Sequence, residues 1–192
     1  MIIGVLALQG DFAEHLAMLS RLGIQAREVR LPDDLESLDG LIIPGGESTT
    51  IGKLAVDFNL IEPLRNFGKK KPIWGTCAGA IFLSKDARRV QPLLGLMDIT
   101  VERNAFGRQV ESFEADLDIP ALDGDKKKPV HAVFIRAPLI EKVSGKARAL
   151  SSLPDGRIVA AQEGHLLATA FHPELTGDDR FHRYFIKMVE KQ

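Results

Sequence analysis

The apolar run from Ile2 to Leu8 limits the fold of this chain more than any other feature of its sequence. The run is nearly unbroken and ends at Gln9-Gly10-Asp11, which is typical of a strand that is buried on both faces and leads into a loop. Strands of this kind belong to parallel sheets that helices cover on both sides. The sequence therefore predicts a parallel sheet from its first strand onward.

Strands and helices alternate along the first half of the chain. Apolar residues at helical spacing follow the first strand, and Gly23 ends the pattern. We expect further strands over residues 24–29, 41–43 and 72–74, and helices over about 12–22, 48–58 and 61–67. Ser48 or Thr49 is expected to cap the second helix. This alternation predicts right-handed crossovers and a doubly wound α/β sheet with helices on both faces.

The second half of the chain has a different pattern, in which short strands are joined by turns. We expect strands over residues 99–103, 110–116, 130–135, 147–150, 157–162 and 166–171. A final amphipathic helix should begin near Asp178-Asp179, because negative charge suits the amino end of a helix. We expect the strands to add to the sheet in antiparallel fashion and the helix to pack on it.

Composition narrows the class of protein. A chain of 192 residues that is 45% hydrophobic can bury one good core, so we expect a single domain over residues 1–192. The formal net charge of -1 gives no reason to expect nucleic acid or an anionic membrane as a partner, and no apolar stretch approaches the ~20 residues of a membrane helix. One cysteine cannot form an internal disulfide, and the apolar start has no basic residues before it, which predicts a cytoplasmic protein.

The single cysteine lies in Gly75-Thr76-Cys77-Ala78-Gly79, directly after a predicted strand. This pattern has the form of a nucleophile elbow, a sharp strand-to-helix turn that lifts a nucleophile above the sheet. The positive end of the following helix would stabilise a thiolate. The alternative is an inert core thiol, because free cysteine is among the most buried residue types.

A thiolate nucleophile needs a base and a group that orients the base. His172 should emerge at the carboxyl end of an apolar strand, and the residue before a proline is usually extended, so that Glu174 would point to the same side. The pattern predicts a triad in which Cys77 is the nucleophile, His172 the base and Glu174 the orienting carboxylate. For His15, His131, His165 and His182 we expect packing or surface roles. No metal site is predicted, because the histidines are scattered and there is no second cysteine.

Acyl transfer also needs donors for the oxyanion. The backbone N–H of Ala78 is one candidate, and the loop Pro44-Gly45-Gly46 can supply the second through Gly46. A plain tight turn is the alternative for that loop. Because ligands of open α/β sheets bind at the carboxyl ends of the strands, this loop, the elbow and Gln9-Gly10 are expected to converge there.

Three motifs in this order resemble the class I, triad-type glutamine amidotransferases, which have a flavodoxin-like fold. They are Gly45-Gly46-Glu47-Ser48-Thr49, Gly75-Thr76-Cys77-Ala78-Gly79 and Phe171-His172-Pro173-Glu174. Three further segments resemble the glutaminase subunits of pyridoxal 5'-phosphate synthases: Leu8-Gln9-Gly10-Asp11 with Glu14-His15, residues 101–109, and Phe134-Ile135-Arg136-Ala137-Pro138. The resemblance runs from Ile2 to about Glu190.

The resemblance implies that Cys77 attacks the side-chain amide of L-glutamine, that His172 protonates the departing ammonia, and that a thioester is hydrolysed to glutamate. It implies no cofactor. It also places six residues around glutamine: Gly46, Glu47, Ser48, Arg103, Ile135 and Arg136. This agrees with simple chemistry, because an arginine can hold the carboxylate of a free amino acid and a glutamate can accept its ammonium group. The sequence leaves open which arginine binds the carboxylate.

One glutaminase fold would use the whole sequence, so a partner must receive the ammonia. In the family, that partner is a separate (β/α)8-barrel synthase subunit, which receives ammonia through an internal channel within a large hetero-oligomer. We expect four residues after the first strand to help form the docking face: Gln9, Asp11, Glu14 and His15. We also expect low glutaminase activity without the partner, through an oxyanion loop held in an unproductive orientation.

Three alternatives are open at this point. The chain could be a glutaminase for another acceptor, such as imidazole glycerol phosphate synthase, although the segments around Arg103 and Phe134 argue against it. It could be a DJ-1-like redox or stress protein, which would not need Glu174 two residues after His172. A cysteine peptidase is the third alternative, but the compact chain offers no obvious long substrate groove for it.

Overall fold

The computed structural model of the protein describes residues 1–103, 112–122 and 128–192. The strands are β1 (Ile2–Leu6), β2 (Gln25–Val29), β3 (Gly40–Ile43), β4 (Ile73–Thr76), β5 (Ser84–Asp86), β6 (Met97–Glu102), β7 (Ser112–Leu117), β8 (Val130–Ile135), β9 (Leu139–Val143), β10 (Arg148–Ser152), β11 (Ile158–Glu163) and β12 (Leu166–Thr169). The α-helices are α1 (Phe12–Arg21), α2 (Ser48–Asp57), α3 (Ile61–Gly68), α4 (Ala78–Leu83) and α5 (Arg180–Glu190). Short 3-10 helices span Pro32–Leu35 and Pro173–Leu175. Residues 104–109 of the family resemblance and the predicted strand start at Val110 lie outside the described residues.

The parallel sheet predicted from the first half of the chain is confirmed. Its strand order is β2-β1-β3-β4-β12, and each neighbouring pair is parallel. Each connection from β1 to β4 passes through one or more helical segments. The chain therefore has the doubly wound α/β architecture that its apolar runs indicate.

The strands beyond β12 extend the sheet in the order β11-β9-β6-β5, with β10 paired to β11. The pairs β12–β11, β11–β9 and β9–β6 are antiparallel as predicted, but β5 and β6 are parallel. The pair β7–β8 forms a separate antiparallel ribbon. The sequence missed β5 and β9: β5 has only three residues, and within β9 only Ile140 is fully buried, so the strand lacks a clear apolar pattern.

Helices cover both faces of the parallel sheet, because successive residues of its strands point to opposite sides. In β3, Leu41 and Ile43 pack in a cluster that also contains Ile51 of α2 and Phe82 of α4. Ile42 points the other way, into a cluster whose further members include Leu19 of α1, Phe181 and Phe185 of α5, and Trp74 of β4. The helices therefore fix each strand end from both sides.

Four neighbouring parallel strands deliver the loops that carry the predicted chemistry. In the order β1, β3, β4 and β12, their carboxyl ends lead to Gln9, Gly46, Cys77 and His172. Parallel strands end at the same edge of the sheet, so the topology brings these residues together. Within the described part of the chain, no helix is long and apolar enough to cross a membrane.

Candidate active site

Cys77 occupies the sharp turn between β4 and α4. Its backbone has φ +48° and ψ -107°. Residues other than glycine rarely adopt this conformation, which costs about 1–3 kcal/mol of strain. The flanking glycines are required by close approach: a Cβ on Gly75 would lie 2.5 Å from the carbonyl oxygen of Gly79, and one on Gly79 would collide with the carbonyl oxygen of Ile43. The turn therefore has the geometry of a nucleophile elbow.

The thiol of Cys77 lines a pocket that His172 also lines, and its S–H donates a long hydrogen bond of 3.9 Å to the carbonyl oxygen of Ile135. Only 6% of Cys77 is exposed, but that part faces the pocket rather than the apolar interior. Burial alone would lower the pKa of His172, but its hydrogen bonds to Cys77 and Glu174, and their negative charges, raise that pKa to about 10. His172 is therefore placed to carry a proton beside Cys77, and the sulfur lies at a pocket rather than deep in the apolar interior.

Glu174 supports His172 from behind. Its Oε1 lies 2.7 Å from Nδ1 of His172, and the Glu174 side chain is completely buried. The predicted contact is present, but the predicted backbone is wrong: Glu174 lies in the 3-10 helix Pro173–Leu175, which begins right after His172, rather than in an extended chain. Burial raises the pKa of Glu174, and the hydrogen bond from His172 opposes that increase.

Asp11 is a second carboxylate near His172, with its Oδ2 3.5 Å from Nδ1. Ligand atoms of Asp11, His172 and Glu174 all lie within 4.8 Å of one another, so this group has a spacing that a metal ion could use. The sequence did not predict such a group. The 2.7 Å bond between His172 and Glu174 already occupies the Nδ1 atom that a metal would need, so the triad explains the cluster without a metal.

The loop after β3 lies beside the elbow. Gly46 has φ +153°, and a Cβ there would collide with Oε1 of Gln9. That same oxygen accepts a hydrogen bond from the N–H of Glu47 at 2.7 Å, so Gln9 holds the loop in place. Gly46 and Ala78 both line the pocket that contains Cys77, where the two predicted oxyanion donors are located.

The pocket around Cys77 has a volume of about 500 Å³. It contains all six residues that the family resemblance assigns to glutamine. Its lining includes Gly46, Glu47, Ser48, Arg103, Ile135 and Arg136, together with Gln9, Asp11, Cys77, Ala78 and His172. Residues predicted from six separate parts of the sequence therefore meet at one cavity.

Glu47 also caps a helix, which the sequence did not predict. It, rather than Ser48 or Thr49, caps α2, because its carboxylate accepts hydrogen bonds from the N–H groups of Thr49 and Thr50 at 3.2 and 2.7 Å. Arg103 pairs with the same carboxylate at 2.7 Å. Burial would raise the pKa of Glu47, but the bonds from Thr50 and Thr49 and the charge of Arg103 together lower it to about 2. Glu47 and Arg103 thus present opposite charges side by side.

Arg136 differs from Arg103 in its surroundings. It is exposed, has a strained backbone at φ +44°, and makes no ion pair with any residue that the structure describes. A strained backbone at a residue whose side chain lines a pocket is typical of functional positions.

Three of the four predicted docking residues have the expected position, and one does not. Gln9 and Asp11 lie at the pocket, and Glu14 is exposed on α1. His15 is fully buried and cannot form part of a docking surface. The sequence contained a signal for this burial, because His15 is spaced three or four residues from Phe12 and Leu19 and so shares the apolar face of the helix with them and Leu16. His15 instead contacts His182, which is also fully buried and for which we expected only a packing or surface role.

Comparisons with known proteins agree with this geometry. The model of the SNO glutamine amidotransferase family matches residues 5–191. Relatives named pyridoxal 5'-phosphate synthase subunit PdxT include one from Herpetosiphon aurantiacus, 60% identical over 97% of this chain and 99% of its own, and one from Moorella thermoacetica, 57% identical over 97% and 98%. A crystal structure described as a glutamine amidotransferase superposes with a TM-score of 0.92 at 48% identity, over 99% of this chain and 100% of its own.

The resemblance seen in the sequence motifs and the fold class that it implied are therefore both confirmed. The match covers the elbow, the loop after β3 and the His172–Glu174 segment together. On this evidence, the chain belongs to the SNO glutamine amidotransferase family.

Proposed function

We propose that this protein hydrolyses L-glutamine to L-glutamate and ammonia and delivers the ammonia to a synthase subunit that makes pyridoxal 5'-phosphate. The observation that carries the proposal is the pocket in which the Cys77–His172 pair faces the six residues expected to bind glutamine. The PdxT names of relatives that are 57–60% identical support the choice of acceptor.

The reaction follows from the arrangement of the triad. The Cys77 thiolate attacks the amide carbon of glutamine, and the oxyanion that forms is held by backbone N–H groups at Gly46 and Ala78. The C–N bond then breaks as the protonated His172 gives its proton to the departing nitrogen, leaving ammonia and a thioester. His172 next takes a proton from water, which attacks the thioester and releases glutamate, so that Cys77 is restored.

Glutamine recognition is assigned to the Glu47–Arg103 pair and to Arg136. The α-carbon of a free amino acid carries an ammonium and a carboxylate group, and a neighbouring anion and cation match that pattern. Glu47 is anionic at neutral pH and Arg103 lies 2.7 Å from it, so both partners are already held in position. We assign the carboxylate mainly to Arg103, with Arg136 as a second cation at the pocket.

The partner docks beside the catalytic loops in this proposal. Gln9 and Asp11 lie in the pocket, Glu14 is exposed on α1, and Gln9 also bonds the N–H of Glu47 in the oxyanion loop. Docking at these residues would therefore act directly on the oxyanion loop. This link explains why we expect low activity alone and higher activity in a cytoplasmic hetero-oligomer with the (β/α)8-barrel subunit.

The decisive experiment mixes the purified protein with the (β/α)8-barrel subunit of a pyridoxal 5'-phosphate synthase and measures glutamate release and pyridoxal 5'-phosphate formation. The proposal predicts that both depend on glutamine and that Cys77→Ala abolishes both. Activation by the imidazole glycerol phosphate synthase partner instead would assign another acceptor. No glutamate release with either partner, together with oxidation of Cys77 by peroxide that glutamine does not prevent, would favour a redox protein.

A further inference from the structure

One oxygen of the orienting carboxylate lacks a hydrogen-bond partner. Oε1 of Glu174 is bonded to His172, but Oε2 is buried and has no bond to any residue that the structure describes. A buried carboxylate oxygen without a donor is costly, more so when the group must stay ionised to support an imidazolium. This oxygen therefore needs a donor on the side of Glu174 that faces away from the pocket.

His15 is placed on that side. Its Nε2 atom lies 3.4 Å from Oε2 of Glu174, and neither side chain is exposed. Nε2 is also 3.3 Å from Oγ1 of Thr76, the residue before the nucleophile. Hydrogen bonds of catalytic groups are often long in the absence of substrate and shorten when it binds. The geometry therefore offers His15 as the donor to Glu174.

A second histidine fixes which nitrogen of His15 carries the proton. Nδ1 of His15 lies 3.0 Å from Nε2 of His182, which belongs to α5. Burial lowers the pKa of His15 well below its usual value, and burial lowers that of His182 to about 3, so both rings are neutral and each has one N–H group. If His182 donates through Nε2, Nδ1 of His15 accepts and its proton is on Nε2, facing Glu174.

The opposite arrangement of protons fits less well. A proton on Nδ1 of His15 would point at His182; the bare Nε2 could then accept from the hydroxyl of Thr76, but Oε2 of Glu174 would face an acceptor and have no donor. The favoured arrangement leaves only Nδ1 of His182 without a partner among the described residues. That atom is then an acceptor, and an unpaired acceptor is tolerated better than an unpaired N–H.

We propose that His15 is a positioning residue of the active site: its Nε2–H donates to Oε2 of Glu174, and His182 sets the tautomer that makes this possible. The proposal rests on the proposed function, since it extends the Cys77–His172–Glu174 triad into the core by two residues. His15 would keep the carboxylate ionised and aimed at His172, and so favour the thiolate–imidazolium pair.

The test compares two variants of similar shape, His15→Gln and His15→Met, in the presence of the synthase subunit. Glutamine keeps an amide donor near the position of Nε2, whereas methionine has none. We expect His15→Met to lower kcat by about 10- to 100-fold with little change in KM, as for other residues that orient a catalytic group, and His15→Gln to recover most of the loss.

The pH dependence of Cys77 alkylation by iodoacetamide supplies a readout that a purely structural role would not change. The titratable groups that face Glu174 are His172, Asp11 and His15. His182 in turn faces His15 and interacts electrostatically with Asp179 and Arg21. Loss of the donor weakens the support for the His172 cation. We therefore expect the pH of half-maximal alkylation to rise by about one unit in His15→Met, and by less in His15→Gln.

Equal losses in both His15 variants with an unchanged alkylation midpoint would overturn the proposal, as would full activity of His15→Met. If His15→Met does not fold, the pair His182→Gln and His182→Met serves instead, because it alters the tautomer without touching Glu174; identical midpoints in that pair would also contradict the proposal. Failure of the proposed function would look different: the wild-type protein would release no glutamate with the synthase subunit, whatever the alkylation profiles of the variants.

Discussion

The parallel and antiparallel parts of the sheet contribute different things to the same pocket. The carboxyl ends of the parallel strands β1, β3, β4 and β12 lead to the loops that carry the proposed nucleophile, base and oxyanion donors. Strand β6 of the antiparallel part and strand β8 of the separate ribbon end near Arg103, Ile135 and Arg136, which line the pocket. Under the proposed function, the triad thus follows the parallel strands, whereas the glutamine-binding residues come from both regions, with Gly46, Glu47 and Ser48 after β3 and the other three after β6 or at the end of β8.

The two parts also differ in how firmly they hold their side chains. Cys77, His172 and Glu174 are each less than a tenth exposed, and Glu174 is bonded to His172 at 2.7 Å. Ile135 is 40% exposed and Arg136 is exposed as well. A buried, fixed site suits stabilisation of a transition state, whereas binding energy can come from a more open surface. Substitutions of the triad should therefore affect kcat, and those of Arg103 and Arg136 should affect KM.

The largest effect that tests this division is expected at Glu174. Glu174→Gln removes the charge that supports the His172 cation while keeping the shape, and should lower kcat by about 10²-fold or more. Asp11→Asn is the matched control, since its carboxylate lies at 3.5 Å from the same nitrogen rather than 2.7 Å. We expect only a few-fold loss there, measured as glutamate release with the synthase subunit. Similar losses in both variants would mean that the two carboxylates share the role.

A smaller effect, on KM, is expected at the arginines. Arg103→Met removes a charged contact to the substrate carboxylate, which is worth roughly 1.5–3 kcal/mol, so KM for glutamine should rise by about 10- to 100-fold with kcat within a few-fold of wild type. Arg136→Met should raise KM less. Arg88→Met is the control, because Arg88 pairs with Glu141 and does not line the pocket. A fall in kcat without a change in KM would contradict the division between the two parts of the sheet.

A still smaller effect should follow from Glu14→Ala on α1. Glu14 is exposed and does not line the pocket, so basal glutamate release should stay at the wild-type level. The concentration of synthase subunit needed for half-maximal activation should increase by a few-fold, as for a single charge at an interface rim. Glu62→Ala, on α3 at the opposite face, serves as the comparison. Identical activation curves for the two variants would remove Glu14 from the docking surface.

The two parts of the sheet should also respond to pH in opposite directions. Burial lowers the pKa of His182, beside the parallel strands, to about 3, below the ordinary value of 6.5. Its contribution to stability is therefore complete above pH 6.5 and is lost as pH falls toward about 3, by at most about 1.4 kcal/mol per pH unit. On β8, hydrogen bonds that His131 donates to Asp116 and Glu114 raise the pKa of this exposed histidine, so its small contribution is present below pH 6.5 and lost at higher pH.

The free energy of unfolding, measured with denaturant from about pH 4 to about pH 8, checks this contrast, because this range covers much of the pH window in which the two histidines act. His182→Gln should flatten the loss of unfolding free energy at low pH, relative to wild type. His131→Gln should leave the pH dependence of the unfolding free energy at low pH unchanged, and should slightly reduce the loss of unfolding free energy at higher pH. Parallel curves for wild type and His182→Gln would show that His182 does not titrate in this way.

How much the sequence revealed also differs between the two parts. Strands β1, β3, β4 and β12 are almost fully buried and have nearly continuous apolar runs, so their existence and order of appearance could be predicted. In β9, the residues LIEKV bury only Ile140 fully, and no local pattern separates such a strand from a loop. Its pairing depends on β6 and β11, which are far away in the sequence.

Within the site, residue identity was easier to predict than local geometry. The His172–Glu174 contact follows from two residues in sequence, but the 3-10 turn that makes it does not. Glu47 as the cap of α2 was missed, because shorter side chains are the usual caps. The contact between His15 and His182 joins α1 to α5 across 167 positions and could not be read from either helix alone.

The central claim is that Cys77 is a nucleophile held in a glutamine-binding pocket. Mass spectrometry of the protein treated with a chloroketone analogue of glutamine tests it most directly. The account predicts one adduct per chain, on Cys77, with L-glutamine in excess preventing its formation and His172→Gln slowing it. An adduct that forms at the same rate with and without L-glutamine, or at any other residue, would contradict it.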